Sequence, residues 1–141
     1  MIKVEISGSS KISSAEVLKI IRRALKAAGI KDAYVSVAFI TSEEIKKWNR
    51  LYRKKARATD ILSFGFNRAM GDEKKWKRAG ELLICEAAAK INAKEKRHSL
   101  KKEIGTLLVH GSLHLVGYDH EGEREAKTMF ALQNKIIMKL K

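Results

Sequence analysis

Hydrophobic and polar positions follow two periods along the chain, one typical of β-strands and one typical of amphipathic α-helices. Period-two alternation and β-branched or aromatic runs predict four short strands, over 2–6, 34–40, 61–64 and 81–85. Helical spacing of apolar residues predicts five helices, over 13–29, 42–53, 86–96, 100–116 and 121–140. We therefore expect a single α/β (α+β) domain over 1–141, with a mixed sheet of about four strands packed against helices.

Local signals place several of these boundaries. Ser13 with Glu16, and Thr41 with Glu44, have the spacing of capping boxes that begin helices. Gly29 and Gly117 are suited to the left-handed conformation that ends a helix. The polar stretch over 65–80 predicts a long loop, and loops of that length often carry function.

Composition limits the cellular setting and the partners. The chain has 30 Lys and Arg against 16 Asp and Glu, a formal net charge of +14, which suits either a polyanionic partner such as nucleic acid or a merely soluble surface. Cys85 is the one cysteine and cannot form an intramolecular disulfide. No secretion signal and no apolar run of about 18 residues is visible, so we expect a cytoplasmic protein with no membrane span.

Three of the four histidines lie in one short segment, HGSLHLVGYDH over 110–120. His110 and His114 are four residues apart, which places both imidazoles on one face of a helix. A turn at Gly117 can bring His120 toward the same point. The helix around the pair carries no Lys, Arg, Asp or Glu from Ile104 to Val116, which predicts burial, and buried polar groups need partners. Three histidines with one open position form the ligand set of a catalytic zinc ion.

The same spacing occurs in the metzincin proteases, with one difference. Those enzymes carry a glutamate directly after the first histidine as general base, whereas this chain has Gly111, which cannot accept a proton. A metallopeptidase is therefore disfavoured. Hydrolysis as a class remains open, because a zinc-bound water can ionise near neutral pH without a carboxylate neighbour.

A basic and aromatic region precedes the histidines. The segment IKKWNRLYRKKAR over 45–57 holds seven basic residues, and a second cluster surrounds Trp76 in the predicted loop. Cations that neutralise phosphates and aromatic faces that stack on bases favour single-stranded nucleic acid. Trp76 is the better stacking candidate, because Tyr52 is expected in the core on helical spacing and Trp48 fits either role.

An arginine in this region could grip a phosphate with two hydrogen bonds and stabilise charge that builds on phosphorus. The residue types alone do not distinguish Arg53 from Arg50 or Arg57. We therefore regard Arg50, Arg53, Arg57 and Trp76 as candidate RNA-binding residues.

The histidine segment, taken with Trp48-Asn49, Tyr52-Arg53, the TDILSF run over 59–64 and the GELLI run over 80–84, closely resembles the YbeY family of bacterial endoribonucleases. The resemblance covers about residues 45 to 125. It implies a zinc-dependent, single-strand-specific endoribonuclease that acts in rRNA processing, including maturation of the small-subunit rRNA 3′ end, and in ribosome quality control. It also implies a mixed sheet covered by helices.

Motif positions carry the implied roles over to this chain. His110, His114 and His120 would hold one zinc ion, and Arg53 would face it and contact the scissile phosphate as a catalytic residue together with His114. Proline is common in the family where this chain has Ala58 and Gly65, so the turns near the cleft lose a fixed backbone angle.

Other polar residues fit more than one role. Asp119 fits either an orienting hydrogen bond to a ligand imidazole or the N-cap of the last helix. His98 is expected at the surface rather than as a fourth ligand, and Cys85 is expected to be buried. Asp60 fits either a turn-holding role, which we favour, or a position at the cleft.

The leading hypothesis is thus a monomeric, metal-dependent endoribonuclease whose partners are single-stranded rRNA precursors and the small ribosomal subunit. The alternatives are a non-catalytic rRNA-binding or ribosome-binding factor with a structural metal and, with less support, a metallopeptidase.

Overall fold

A four-stranded mixed sheet organises the part of the chain that the computed structural model describes, residues 1–53, 59–65, 78–118 and 122–140. The strands are β1 (Ile2–Ser7), β2 (Ala33–Phe39), β3 (Ile61–Phe64) and β4 (Ala79–Ile84). Their spatial order is β1-β2-β4-β3, in which β1, β2 and β4 are parallel and β3 runs antiparallel to β4. The expectation of about four strands in a mixed sheet is confirmed. Strand β3 is an edge strand of this sheet.

Five helices accompany the sheet within the described ranges. They are α1 (Ser14–Ala27), α2 (Ser42–Arg53), α3 (Glu86–Glu95), α4 (Leu100–Val116) and α5 (Glu123–Lys139). The predicted caps are present, since Ser13 Oγ accepts a hydrogen bond from Glu16 N, and Thr41 and Glu44 bond each other reciprocally. Helix α4 ends at Gly117, whose φ of 113° is the left-handed conformation expected there.

The two sheet faces are covered differently. The main core joins one face to α1, α4 and α5, and its buried residues include Val35, Leu82 and Leu113. A second, smaller core of Ile45, Leu62 and Cys85 lies on the other face, where α2 packs near the β3–β4 end. The alternation along β4 shows this division, because Leu82 and Ile84 belong to the main core and Leu83 borders the second. Cys85 is buried as expected.

Several boundaries differ from the sequence prediction, among them those of β4 and α5. Strand β4 begins at Ala79 instead of 81 because its ladder with β2 continues to the pair Tyr34 and Ala79, and it ends at Ile84 because Cys85 is the N-cap residue of α3. Helix α5 begins at Glu123 with Gly122 as its N-cap. The hypothesis that Asp119 caps this helix is therefore wrong.

A buried carboxylate fixes the turn between α3 and α4. Glu103 is 1% exposed, and its oxygens lie 2.6 Å from His98 Nε2 and 3.3 Å from Lys96 Nζ. His98 is thus half-buried and paired, not the surface residue that its sequence position suggested. Because a buried charge is costly without partners, this contact secures the start of α4.

The same turn contains Arg97, which has a φ of 56°. A left-handed backbone costs a side chain with a Cβ about 1–2 kcal/mol, and glycine avoids this cost. We expect Arg97→Gly to raise the free energy of unfolding by about 0.5–1 kcal/mol after the entropy of glycine in the unfolded chain is counted. Urea denaturation measures this, with Lys94→Gly in the last turn of α3 as a control that should lower stability by about 0.5–1 kcal/mol. Equal losses in both variants would contradict the prediction.

Candidate metal centre and its surroundings

Helix α4 carries the histidine pair in its last two turns. It is the most buried helix of the described chain and packs between the sheet, α1, α3 and α5. Only a part of its surface stays open, and His110 and His114 are both half-buried there. The negative end of the helix dipole lies at this terminus, which favours a bound cation.

The two imidazoles converge through the same ring atom. His110 Nε2 and His114 Nε2 are 3.0 Å apart, and the ring planes are nearly perpendicular at 76°. Two nitrogens that bind one zinc ion at about 2.0–2.1 Å in tetrahedral geometry are separated by about 3.3 Å. The observed pair is therefore close to the spacing that a shared zinc ion requires.

A residue that the sequence did not point to orients His110. Gln133, on α5 and 7% exposed, has its Oε1 2.8 Å from His110 Nδ1. Because an amide oxygen can only accept, His110 Nδ1 carries the proton and its Nε2 presents a lone pair toward His114. A metal-ligating histidine typically has such a partner on its other nitrogen. The sequence contained little indication of this role, since a glutamine within an amphipathic helix is usually a surface residue.

Phe130 of α5 is a second neighbour of His110. Its ring centroid lies 6.3 Å from that of His110, with 28° between the planes, and the residue is 43% exposed. Helix α5 therefore supplies one hydrogen-bonding and one apolar neighbour to the same imidazole.

Gly111 explains how closely α4 approaches the sheet. A Cβ at this position would lie 2.8 Å from Ile61 Cδ1 and 2.9 Å from Leu82 Cδ2. Residue 111 thus points at β3 and β4, away from the imidazole pair. A side chain here would meet the sheet, so the missing glutamate of the metzincin pattern has no room at this position.

Asp60 and Asn49 occupy structural positions near the second core. Asp60 Oδ2 accepts a hydrogen bond of 2.9 Å from Asn92 Nδ2, and the Asp60 carbonyl accepts from Cys85 N. These contacts are structural and tie the residues before β3 to α3, while residues 54–58 of the turn that Asp60 was expected to hold lie outside the described residues. Asn49 is 3% exposed on α2 and faces the buried side of that helix.

Tyr52 contradicts the expectation that it packs in the core. It is 52% exposed although it follows Ile45 and Asn49 on the buried stripe of α2, because it lies in the last turn of that helix, where its ring contacts those of Trp48 and Phe64 instead of the core. Trp48, for which both roles were open, is 36% exposed and stacks on Tyr52.

Several predicted site residues lie outside the described residues, namely Arg57, Trp76, Asp119 and His120. Arg53 ends α2, and its side chain is also outside the description, whereas Arg50 is exposed on the same helix. Within the described ranges, no third His, Cys, Asp or Glu side chain joins the pair in a metal-binding group. The roles of Arg53 and His120 therefore stay predictions.

Within the described ranges, none of the helices has the length and apolar character that a membrane span requires.

Comparison with known proteins agrees with the sequence resemblance. The family model described as Endoribonuclease YbeY matches residues 3–141. The curated protein "Endoribonuclease YbeY" of Aquifex aeolicus is 37% identical over 131 residues, which cover 92% of this chain and 85% of the relative. The protein of the same name from Bacillus velezensis is 39% identical over 129 residues, covering 86% and 82% of the two chains.

A solved structure shares the fold. The solution structure of a protein from Thermotoga maritima aligns with a TM-score of 0.66 and 30% sequence identity, over 97% of this chain and 88% of that one. Family match, curated relatives and fold agree over nearly the full length, and the chain belongs to the YbeY family of endoribonucleases.

Proposed function

We propose that this protein is a zinc-dependent endoribonuclease that hydrolyses single-stranded RNA. Its place would be the cytoplasm, where it would act as a monomer on rRNA precursors, including the 3′ end of small-subunit rRNA, and in ribosome quality control. Family membership supports the RNA-cleaving class. The observation that carries the metal dependence is the histidine pair, whose Nε2 atoms converge at 3.0 Å while Gln133 holds the other nitrogen of His110.

The proposed ligands are His110, His114 and His120. The chemistry that zinc supplies in such a site is Lewis-acid activation of water and polarisation of a phosphoryl oxygen. The residues of the chain would do the remaining work. Gln133 fixes the tautomer of His110, and Arg53, at the end of α2, would hold the scissile phosphate and stabilise its developing charge.

Gly111 argues against the peptidase alternative. The general base of a metzincin-type reaction would have to stand at this position, but the backbone there faces Ile61 and Leu82 in the sheet. A base elsewhere in the cleft is required for any hydrolysis of that kind.

The decisive experiment joins metal analysis with cleavage of a 3′-extended small-subunit rRNA precursor. We expect about one zinc ion per wild-type chain, and we expect His114→Ala to lose both the metal and cleavage while single-stranded RNA still binds. His98→Gln is the matched control, because His98 contacts Glu103 and not the pair. Metal-free wild-type protein, or normal cleavage by His114→Ala, would refute the proposal.

The same assay separates the alternatives. A non-catalytic rRNA-binding factor predicts that His114→Ala loses thermal stability and RNA binding together, and that wild type leaves the precursor uncut. For the phosphate contact, we expect Arg53→Ala to slow cleavage by about 10²–10³-fold, whereas Arg50→Ala, an exposed residue of the same helix, slows it far less. End-group analysis of the product distinguishes attack by water from attack by the RNA 2′-hydroxyl, which leaves a 2′,3′-cyclic phosphate.

A further inference from the structure

Three aromatic side chains, of which two are exposed, form a cluster where α2 meets the edge strand. Trp48 stacks on Tyr52 with ring centroids 5.4 Å apart and 16° between the planes. Phe64 of β3 meets both edge-on, at 5.1 Å from Tyr52 and 6.5 Å from Trp48. These three residues are called the aromatic platform below.

Two of the three platform residues lie outside the packed core, while Phe64 is partly buried against the second core. Trp48 and Tyr52 are 36% and 52% exposed, and the neighbouring Leu51 is 63% exposed. Scattered exposed apolar residues are ordinary, but contiguous aromatic faces in water are typical of binding surfaces. Aromatic rings in mutual contact also keep each other in one orientation, which lowers the entropy lost when a ligand stacks on them.

The platform lies across one strand from the histidine helix. Side chains of β3 alternate between the two sheet faces, so that Ile61 reaches toward Gly111 of α4 while Phe64 borders the second core on the α2 side. The residue after Phe64, Gly65, approaches the backbone oxygen of Leu115 near the end of α4. The histidine helix and the platform therefore both border the edge strand β3, the helix on one face of the sheet and the platform on the other.

Charge on α2 favours a polyanion over a protein partner. Lys46, Lys47 and Arg50 are exposed on this helix, and its acidic residues are confined to the first turn, at Glu43 and Glu44. Cations together with exposed aromatic rings are the combination that binds single-stranded nucleic acid with little sequence preference, because every base has a π-face, and here both occur on the same helix.

We propose that Trp48, Tyr52 and Phe64 form a stacking platform for unpaired bases of single-stranded RNA next to the cleavage point. The location of that point rests on the proposed function, whereas binding to the platform does not. The platform selects unpaired strands, since bases in a duplex already stack on each other and cannot lie flat on protein rings.

Binding to uncleavable probes tests the platform independently of catalysis. One probe is a 2′-O-methyl oligouridylate, and the second has the same sugar-phosphate backbone with abasic positions in place of the bases. We expect Trp48→Ala and Tyr52→Ala each to weaken binding of the first probe roughly tenfold, within the range for loss of one base–aromatic contact. Binding of the abasic probe should change by less than about twofold, because its phosphates are intact. Leu51→Ala, at an exposed apolar residue of the same helix, should leave both affinities unchanged.

Fluorescence supplies a readout that does not depend on removing the platform. The chain has two tryptophans, so Trp76→Phe leaves Trp48 as the sole reporter. The oligouridylate should quench its emission, and the abasic probe should not. Equal weakening on both probes, unchanged binding by the alanine variants, or no quenching of Trp48 would each overturn the proposal.

The outcome is distinguishable from failure of the proposed function. If His114→Ala cleaves normally while the platform variants lose binding as expected, the metal-dependent reaction is refuted and the platform is upheld. If His114→Ala behaves as expected but the platform variants bind both probes like wild type, the platform is refuted alone.

Discussion

Gly111→Glu is expected to destabilise the protein severely and to create no peptidase. A Cβ at this position already lies 2.8 Å and 2.9 Å from the ends of Ile61 and Leu82, and Leu82 is fully buried. Forcing a side chain into this contact costs about 1–3 kcal/mol, and burying an unpaired carboxylate costs several more. Since a domain of this kind is stable by about 5–15 kcal/mol, we expect a fall in Tm of about 10 °C or more.

Two further glycine variants separate crowding from charge. Gly111→Ala tests crowding alone and should cost about 1–3 kcal/mol, because two side-chain ends must move. Gly105→Ala is the matched control in the same helix, since its Cβ would meet Ile20 Cδ1 at an ordinary 3.7 Å. There the gain in helix propensity should leave stability equal or higher by up to about 1 kcal/mol. If Gly111→Glu melted at the wild-type Tm, residue 111 would have to face the cleft, and the peptidase hypothesis would be open again.

The elements of this fold were predictable because their signals are local. Alternation in β1, the β-branched run in β2, the capping box at Thr41 and the glycine after Val116 each depend on a few neighbouring residues. The strand order was not predictable in this way. It depends on which apolar faces meet across the chain, and the start of β4 at Ala79 follows from its partner Tyr34, forty-five positions away.

Within the site, too, local spacing was predictive and packing between distant elements was not. The i, i+4 spacing within one helix was enough to bring His110 and His114 together, as their 3.0 Å contact shows. Gln133 could not be predicted, because its role depends on how α5 packs against α4. The position of Tyr52 was predicted wrongly for a related reason, since helical spacing gives the face that it shares with Ile45 but does not say that the core ends before the last turn of α2.

Gln133→Leu is expected to lower zinc affinity by about 10–100-fold, the usual effect of removing the partner of a ligating histidine. Gln133 Oε1 is the described acceptor for His110 Nδ1, at 2.8 Å. Without it, the proton of the imidazole can move to Nε2, which is the atom that converges with His114. Leucine has a similar volume and is apolar, so the buried position between α4 and α5 stays filled and the metal-free Tm should change little.

Two companion variants test whether the acceptor itself is what matters. Gln133→Glu keeps an oxygen within reach of Nδ1 and should retain zinc affinity, because carboxylates orient ligand histidines as amides do. Asn134→Leu removes an exposed amide from the adjacent position of α5 and should have no effect on the metal. Competition against a chelating dye measures the affinities, and melting of the metal-free proteins measures the fold. If Gln133→Leu and Gln133→Glu lose the metal equally while both fold, an oxygen acceptor for His110 Nδ1 at residue 133 is not what sets the zinc affinity, and the role given to this hydrogen bond is refuted.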